Sequence, residues 1–214
     1  MVVFAPIFLF ILAAQLQAQS ASDSAYVRVL TERSSKIVGG LVLNDVVREQ
    51  ALTRLLVGQY LAVNEIHDRY KPAPKPADSV ARIQWEADKK RMLEQKAKDL
   101  QERHVVFLQD LSGLLDAAGF EAVKDGMTYR VLPITYAAYL DMLPGLTDAQ
   151  RSRIMDWLRE ARELAMDEGS SNAKHAVFGK YKGRINNYLS AEGYDLKKET
   201  EAWQQRIKQR NLTK

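Results

Sequence analysis

Apolar positions along the chain recur at spacings of three and four, and no stretch alternates with period two. That pattern predicts an all-α fold, a helical bundle. From Tyr26 to Leu41, Val27, Leu30, Ile37 and Leu41 form one stripe that ends near Gly39-Gly40. A second helix, capped by Asn44, carries Leu52, Leu56, Gln59, Val63, Ile66 and Tyr70 on one face. Lys71 to Pro76 holds three of the six prolines. Their fixed φ, and the bias each imposes on the residue before it, leaves an extended connector. A third helix runs from about Ser79 to Leu115, long enough to span ~55 Å. Leu93, Ala97, Leu100, His104, Phe107, Leu111 and Leu114 give it a coiled-coil-like seam. Its first half, Glu86 to Arg103, is dense in mixed charge and reads as solvated. Helices two and three are expected to form a long antiparallel hairpin over about residues 44–117.

A break near Ala117 to Gly126 is expected to open a C-terminal multi-helix half, about residues 118–214, richer in Tyr, Gly and Asn. Tyr129, Tyr136 and Tyr139 with Met127 and Met142 read as an aromatic cluster packed into the core. Pro144-Gly145 makes a turn, and Thr147-Asp148-Ala149-Gln150 matches a capping box. The helix that follows turns Ile154, Leu158, Ala161 and Ala165 inward and ends at Gly169. Ser170 or Ser171 caps the next helix, Gly193 closes it, and Asp195 begins a last helix to about Arg210.

The N-terminus changes the expected address. Residues 1–18 carry no charge, Met1 to Ala14 are almost wholly apolar, and Gln15 to Gln19 turn polar. This is the layout of a secretory signal peptide, with an apolar run shorter than the ~20 residues of a spanning helix. An exported protein without stable membrane insertion is expected, in the periplasm or outside the cell. An ordinary buried N-terminal helix is the alternative. Residues 19–214 are then long enough for a single domain with its own core. There are no cysteines, so neither disulfides nor thiol chemistry support it. A pI near 9.2 with net charge +4 suits anionic partners, but the excess is too small to indicate nucleic acid.

Candidate chemistry concentrates in Lys174 to Tyr188. This helix carries Gly179 and Gly183 at i, i+4, although each interior glycine costs roughly 1 kcal/mol relative to alanine. The two bare positions share a face and make room for a ligand. Around them His175, Lys180, Lys182 and Arg184 supply cations or donors for carboxylates. Phe178, Tyr181 and Tyr194 offer flat faces for sugar rings. Asn186, Asn187 and Asp195 can hydrogen-bond hydroxyls.

Other constellations are weak. No two of His67, His104 and His175 have metal-ligand spacing, and no metal or cofactor is expected. A hairpin folded end to end would place His67 and His104 ~25–30 Å apart, so no shared site is expected of them. Asp156, Glu160, Glu163 and Asp167 alternate with arginines and read as a solvated or ion-paired helix face. No Gly-x-Ser-x-Gly elbow, phosphate loop or dinucleotide fingerprint occurs.

Several stretches carry a family resemblance. They are Val123 to Tyr129, Tyr139 to Pro144, Glu160 to Glu163, Ala165 to Asp167, Lys174 to Tyr188 and Gly193 to Lys197, and more loosely Asn64 to His67 and the region of His104. In them the chain resembles a bacterial family catalogued as domain of unknown function 3826. The resemblance implies export and saccharide contact, with no catalytic residues to carry over.

The leading expectation is an exported saccharide-binding protein favouring acidic, uronate-containing glycans. A lyase or hydrolase acting on such polymers is one alternative. A structural helical module that docks through helix three is another.

Overall fold

The computed structural model describes residues 24–212, and no strand occurs among them. Eight helices follow in order: α1 (24–39), α2 (Val46–Arg69), α3 (Ser79–Leu114), α4 (Ala117–Met127), α5 (Val131–Met142), α6 (Asp148–Met166), α7 (Ser171–Ala191) and α8 (Leu196–Leu212). The all-α bundle read from the periodicity is the observed fold. The apolar segment at residues 1–18 lies outside the described residues.

Two apolar clusters hold the helices together. The first joins Leu30 and Val38 of α1, Leu52, Leu56 and Tyr60 of α2, Phe107 and Leu111 of α3, and Val123 and Met127 of α4. The second joins Leu132 and Tyr139 of α5, Ile154, Leu158, Ala161 and Ala165 of α6, and Phe178, Ile185 and Leu189 of α7. The expected aromatic cluster is therefore divided: Met127 belongs to the first core and Tyr139 to the second.

The hairpin of α2 and α3 is present, but its register differs from an end-to-end fold. Tyr70 donates to Asp99 at 2.7 Å, Arg69 lies 3.4 Å from the same carboxylate, and Arg103 donates to Gln59 at 2.6 Å. The end of α2 thus meets the middle of α3. Residues 79–98, about 30 Å of helix, overhang it. The proline connector runs back along that overhang, where the Trp85 indole N–H donates to the Ala73 carbonyl at 2.9 Å. Leu93 and Ala97 face solvent there, and only His104, Phe107 and Leu111 of the expected seam are buried.

The stretch from Ala117 to Gly126 is a helix, not a break. Asp116 caps it by accepting from the Gly119 amide at 2.8 Å, and Phe120, Val123 and Met127 face the first core. Gly126 is bare for packing: a Cβ there would lie 2.8 Å from Ile37 Cγ2, so α1 approaches α4 closely at this point. The chain leaves α4 through Tyr129 and Arg130, both at positive φ of 58° and 57°. Two consecutive left-handed residues cannot extend a helix, and this pair sets the turn into α5.

Further caps agree with the sequence in kind. The Thr147–Gln150 capping box is formed in both directions, Ser170 caps α7, and Asp195 accepts from the Lys198 amide at 3.1 Å. For α2 the cap is Asp45, which accepts from Arg48, while the neighbouring Asn44 takes positive φ instead.

Candidate functional site

The sequence-predicted residues of α7 are divided among three surroundings, because α7 packs on α6 along one edge and against α8 near its end. Phe178 turns inward, only 1 % exposed, so its ring is a core residue and offers no face to a ligand. On the α6 edge, Arg184 lies 3.5 Å from Glu160 and 4.6 Å from the Trp157 ring centroid. Tyr181 packs against the second core on the same edge. Burial, followed by its hydrogen bond to Glu160, pushes the Tyr181 hydroxyl up to about 12. Tyr194 is likewise engaged, its hydroxyl donating to Gly145 and Gln150 at 3.2 and 3.1 Å. Asp195 serves as the cap of α8.

On the open side, a Cβ at Gly179 or Gly183 would meet no atom within 4 Å. Neither glycine is covered by a neighbouring helix. Lys180 and Asn187 are exposed there. His175 stacks on Tyr129 with centroids 5.3 Å apart, and its Nδ1 lies 2.8 Å from the Ser171 carbonyl.

The third surrounding is a cleft of about 330 Å³ between α5, α7 and α8. Lys182 and Asn186 line it from α7, Ile134, Tyr139 and Met142 from α5, and Trp203 from α8. Tyr139 donates to the Asn186 side-chain oxygen at 2.7 Å. The amide nitrogen of Asn186 is thereby turned to donate elsewhere. Burial pushes the Tyr139 hydroxyl up to about 12, so it remains a neutral donor at any physiological pH. Trp203 is half-buried and is fixed by its N–H, which donates to Asp141 at 2.6 Å. Arg210 grips that carboxylate with both its terminal nitrogens, one 2.6 Å from the same oxygen and one 3.1 Å from the other. Lys182 has no carboxylate within 4 Å among the described residues.

Sequence reasoning missed Trp203 and Asp141. A signal was available: α8 buries no residue at all, so a tryptophan on so polar a helix covers something other than the main core.

A second polar cluster lies between α3, α4 and α6. Arg162, 2 % exposed, reaches Asp125 at 2.7 Å and Glu121 at 2.5 Å. Lys124 reaches Glu163 at 2.7 Å, and His104 lies 2.9 Å from Asp167 and 3.5 Å from Glu163. The hydrogen bonds that His104 donates to Asp167 and Glu163 raise it to about 9. Burial alone would raise Glu163, yet His104 and Lys124 hold it down at about 2. His67 also reaches this cluster, its Nε2 lying 2.8 Å from the Asp167 carbonyl. The expectation that His67 and His104 stand far apart is corrected: both meet Asp167, because α3 overhangs α2 and brings His104 level with the end of α2. Among the described residues no group of three or more acidic, His or Cys side chains is placed to hold a metal ion.

Fold and site together define an all-α bundle with one aromatic-lined cleft and a bare strip on its neighbouring helix. The family model described as protein of unknown function (DUF3826) matches residues 27–209, and the chain belongs to that family. Comparison with curated proteins returns no match. Among the described residues no helix is long and apolar enough to cross a membrane.

Proposed function

We propose that the protein is exported and binds a saccharide in the cleft between α5, α7 and α8, with preference for acidic, uronate-containing glycans. The observation that carries this reading is the combination in one cleft of an indole, an amide held with its donor free, and an unpaired lysine. An indole face stacks on the apolar face of a sugar ring. The Asn186 amide supplies two donors for hydroxyls, since Tyr139 occupies its oxygen. Lys182 is available for a charge-assisted bond to a carboxylate. The uncharged N-terminal run supports export. Lys180, Gly179, Gly183 and Asn187 form the adjoining open strip over which a longer glycan extends, whereas Phe178, Tyr181, Arg184 and Tyr194 serve packing.

Calorimetry with uronate oligosaccharides and their neutral counterparts tests the proposal. Trp203→Ala is expected to abolish binding of both, with helicity by circular dichroism unchanged. Lys182→Ala is expected to weaken the acidic ligand about tenfold, the worth of a hydrogen bond to a charged group, and to leave the neutral one alone. No heat from any glycan with the wild type, or wild-type affinity in Trp203→Ala, removes the reading.

A further inference from the structure

A cavity of about 150 Å³ lies between α1, α2 and the segment entering α7, with Arg33, Tyr60, Glu168, Ser170 and Lys174 among its walls. We infer that it is a binding site for a singly charged oxyanion, a carboxylate. This inference stands independently of the cleft.

Three observations converge on it. Lys174 is 3 % exposed, yet no carboxylate lies within 4 Å of it among the described residues. Its ammonium donates to the Ala165 and Met166 carbonyls at 2.8 and 3.1 Å, which leaves one of its three N–H groups over. It also sits at the start of α7, where the helix dipole disfavours a cation and favours an anion. Burial pushes this ammonium down to about 8, against the opposing pull of the Asp167 and Glu168 carboxylates, neither of which reaches it directly.

Tyr60 provides the second observation. It is 7 % exposed, and its hydroxyl finds no partner among the described residues. Buried hydroxyls are ordinarily satisfied. The third is Arg33, whose guanidinium stands 5.6 Å from the Tyr60 ring centroid and has no carboxylate partner among the described residues. The cavity wall is completed by the cap of α7, where the first-turn amides of Ser171 and Asn172 have no carbonyl partner within the helix.

Charge fixes the ligand class. Arg33 and Lys174 bring two positive charges and Glu168 one negative, and the positive start of α7 is offset by the α6 end that Lys174 holds, so the walls sum to about one positive charge. A monoanion balances that sum, and a phosphate dianion exceeds it. The carboxylate can come from a free small acid or from a sugar acid.

Titrating the full chain with galacturonate, acetate and inorganic phosphate by calorimetry tests the assignment. Saturable acetate binding is expected, at least fivefold weaker in Arg33→Gln and unaltered in Trp203→Ala; galacturonate, which the cleft also takes, is titrated in the Trp203→Ala chain. Galacturonate binding more tightly than acetate identifies a sugar acid, and equal affinities identify a free small carboxylate. Lys174→Met also removes the bonds to two α6 carbonyls, so Arg33→Gln, an exposed position, is the deciding variant. As a second readout, the Lys174 ammonium titration followed by NMR is expected to move upward when the carboxylate is added. No binding of either carboxylate at millimolar concentration overturns the proposal. So does phosphate binding more tightly than both, or an acetate affinity that responds to Trp203→Ala and not to Arg33→Gln.

Discussion

Lys124 of α4 and Arg162 of α6 have surroundings opposite to those of Lys180 and Lys182 on α7. Arg162 and Lys124 are buried, and each meets carboxylates within 2.5 to 3.6 Å. Lys180 and Lys182 have no carboxylate within 4 Å among the described residues and border open space or a cleft. A buried charge must be paired, because removing it from water otherwise costs several kcal/mol. The first group is therefore explained by the fold itself. Exposed lysines without partners add little to stability, so their grouping beside an indole and a bare helix strip is what a ligand would use.

The sharpest way to break this contrast is to remove one cation from each side. Arg162→Ala leaves Asp125, 21 % exposed, and Glu121, half exposed, without their main partner. A loss near the lower end of the roughly 3–5 kcal/mol seen when one partner of a buried pair is deleted is expected. Lys182→Ala is expected to stay within about 0.5 kcal/mol of wild type, as surface changes do. Urea denaturation measures both. A cost below 1 kcal/mol for Arg162→Ala shows that the cluster is not holding α4 to α6, and the contrast fails.

A smaller effect separates the same regions by pH. His104 has its folded pKa raised from 6.5 to about 9, so its contribution is complete below about pH 6.5 and is lost as pH rises through 9. Glu163 has its folded value lowered from 4.5 to about 2, so its contribution is complete above about pH 4.5 and is lost as pH falls through 2. These two groups together stabilise most between about pH 4.5 and 6.5, and His104 contributes a decline on the order of 2 kcal/mol on the alkaline side, which Lys174, held down at about 8, works against as pH rises. His104→Gln is expected to flatten the alkaline limb and keep the acid one. A stability change between pH 6 and pH 9.5 that is the same in wild type and in His104→Gln shows that His104 is not charged in the fold. No such limb is expected from the cleft, where Tyr139 stays neutral until about 12.

The fold was legible wherever apolar spacing and caps coincided. The stripe of α2, the capping box of α6 and the bounds of α7 all follow from local rules that need no tertiary partner. Helix α4 was not legible, because Gly119 and Gly126 read as breakers. The close approach of Ile37 to Gly126, a tertiary fact, gives the second glycine its reason. The register of α2 on α3 was also hidden. It rests on Asp99 and Gln59 as partners of residues far off in sequence, and periodicity fixes a face without fixing an offset. In α7 the sequence singled out Gly179 and Gly183, and both are uncovered. It could not tell which of the aromatic and cationic neighbours a facing helix would claim, so Phe178 and Arg184 were assigned to the ligand side. Trp203 was missed, although it is the one aromatic on a polar helix, because α8 reaches the cleft only through packing.

Gly179 and Gly183 offer the finest test of the contrast. Nothing in the fold requires either to be bare, since a Cβ at each has open space and neither has positive φ. Replacing both by alanine is expected to stabilise the protein by about 1–2 kcal/mol in total, from helix propensity alone. Gly193, at φ 92°, is the counter-case: Gly193→Ala is expected to destabilise by roughly 1 kcal/mol, because a side chain is strained there. The binding consequence depends on ligand length. Gly179 and Gly183 lie three residues before Lys182 and Asn186, hence next to them on the helix surface, yet outside the residues that line the cleft. The double variant is therefore expected to bind a monosaccharide as wild type does and to lose affinity for longer glycans that run onto the strip. Higher stability with unchanged affinity at every glycan length confines any ligand to the cleft and leaves the two glycines with no role in binding.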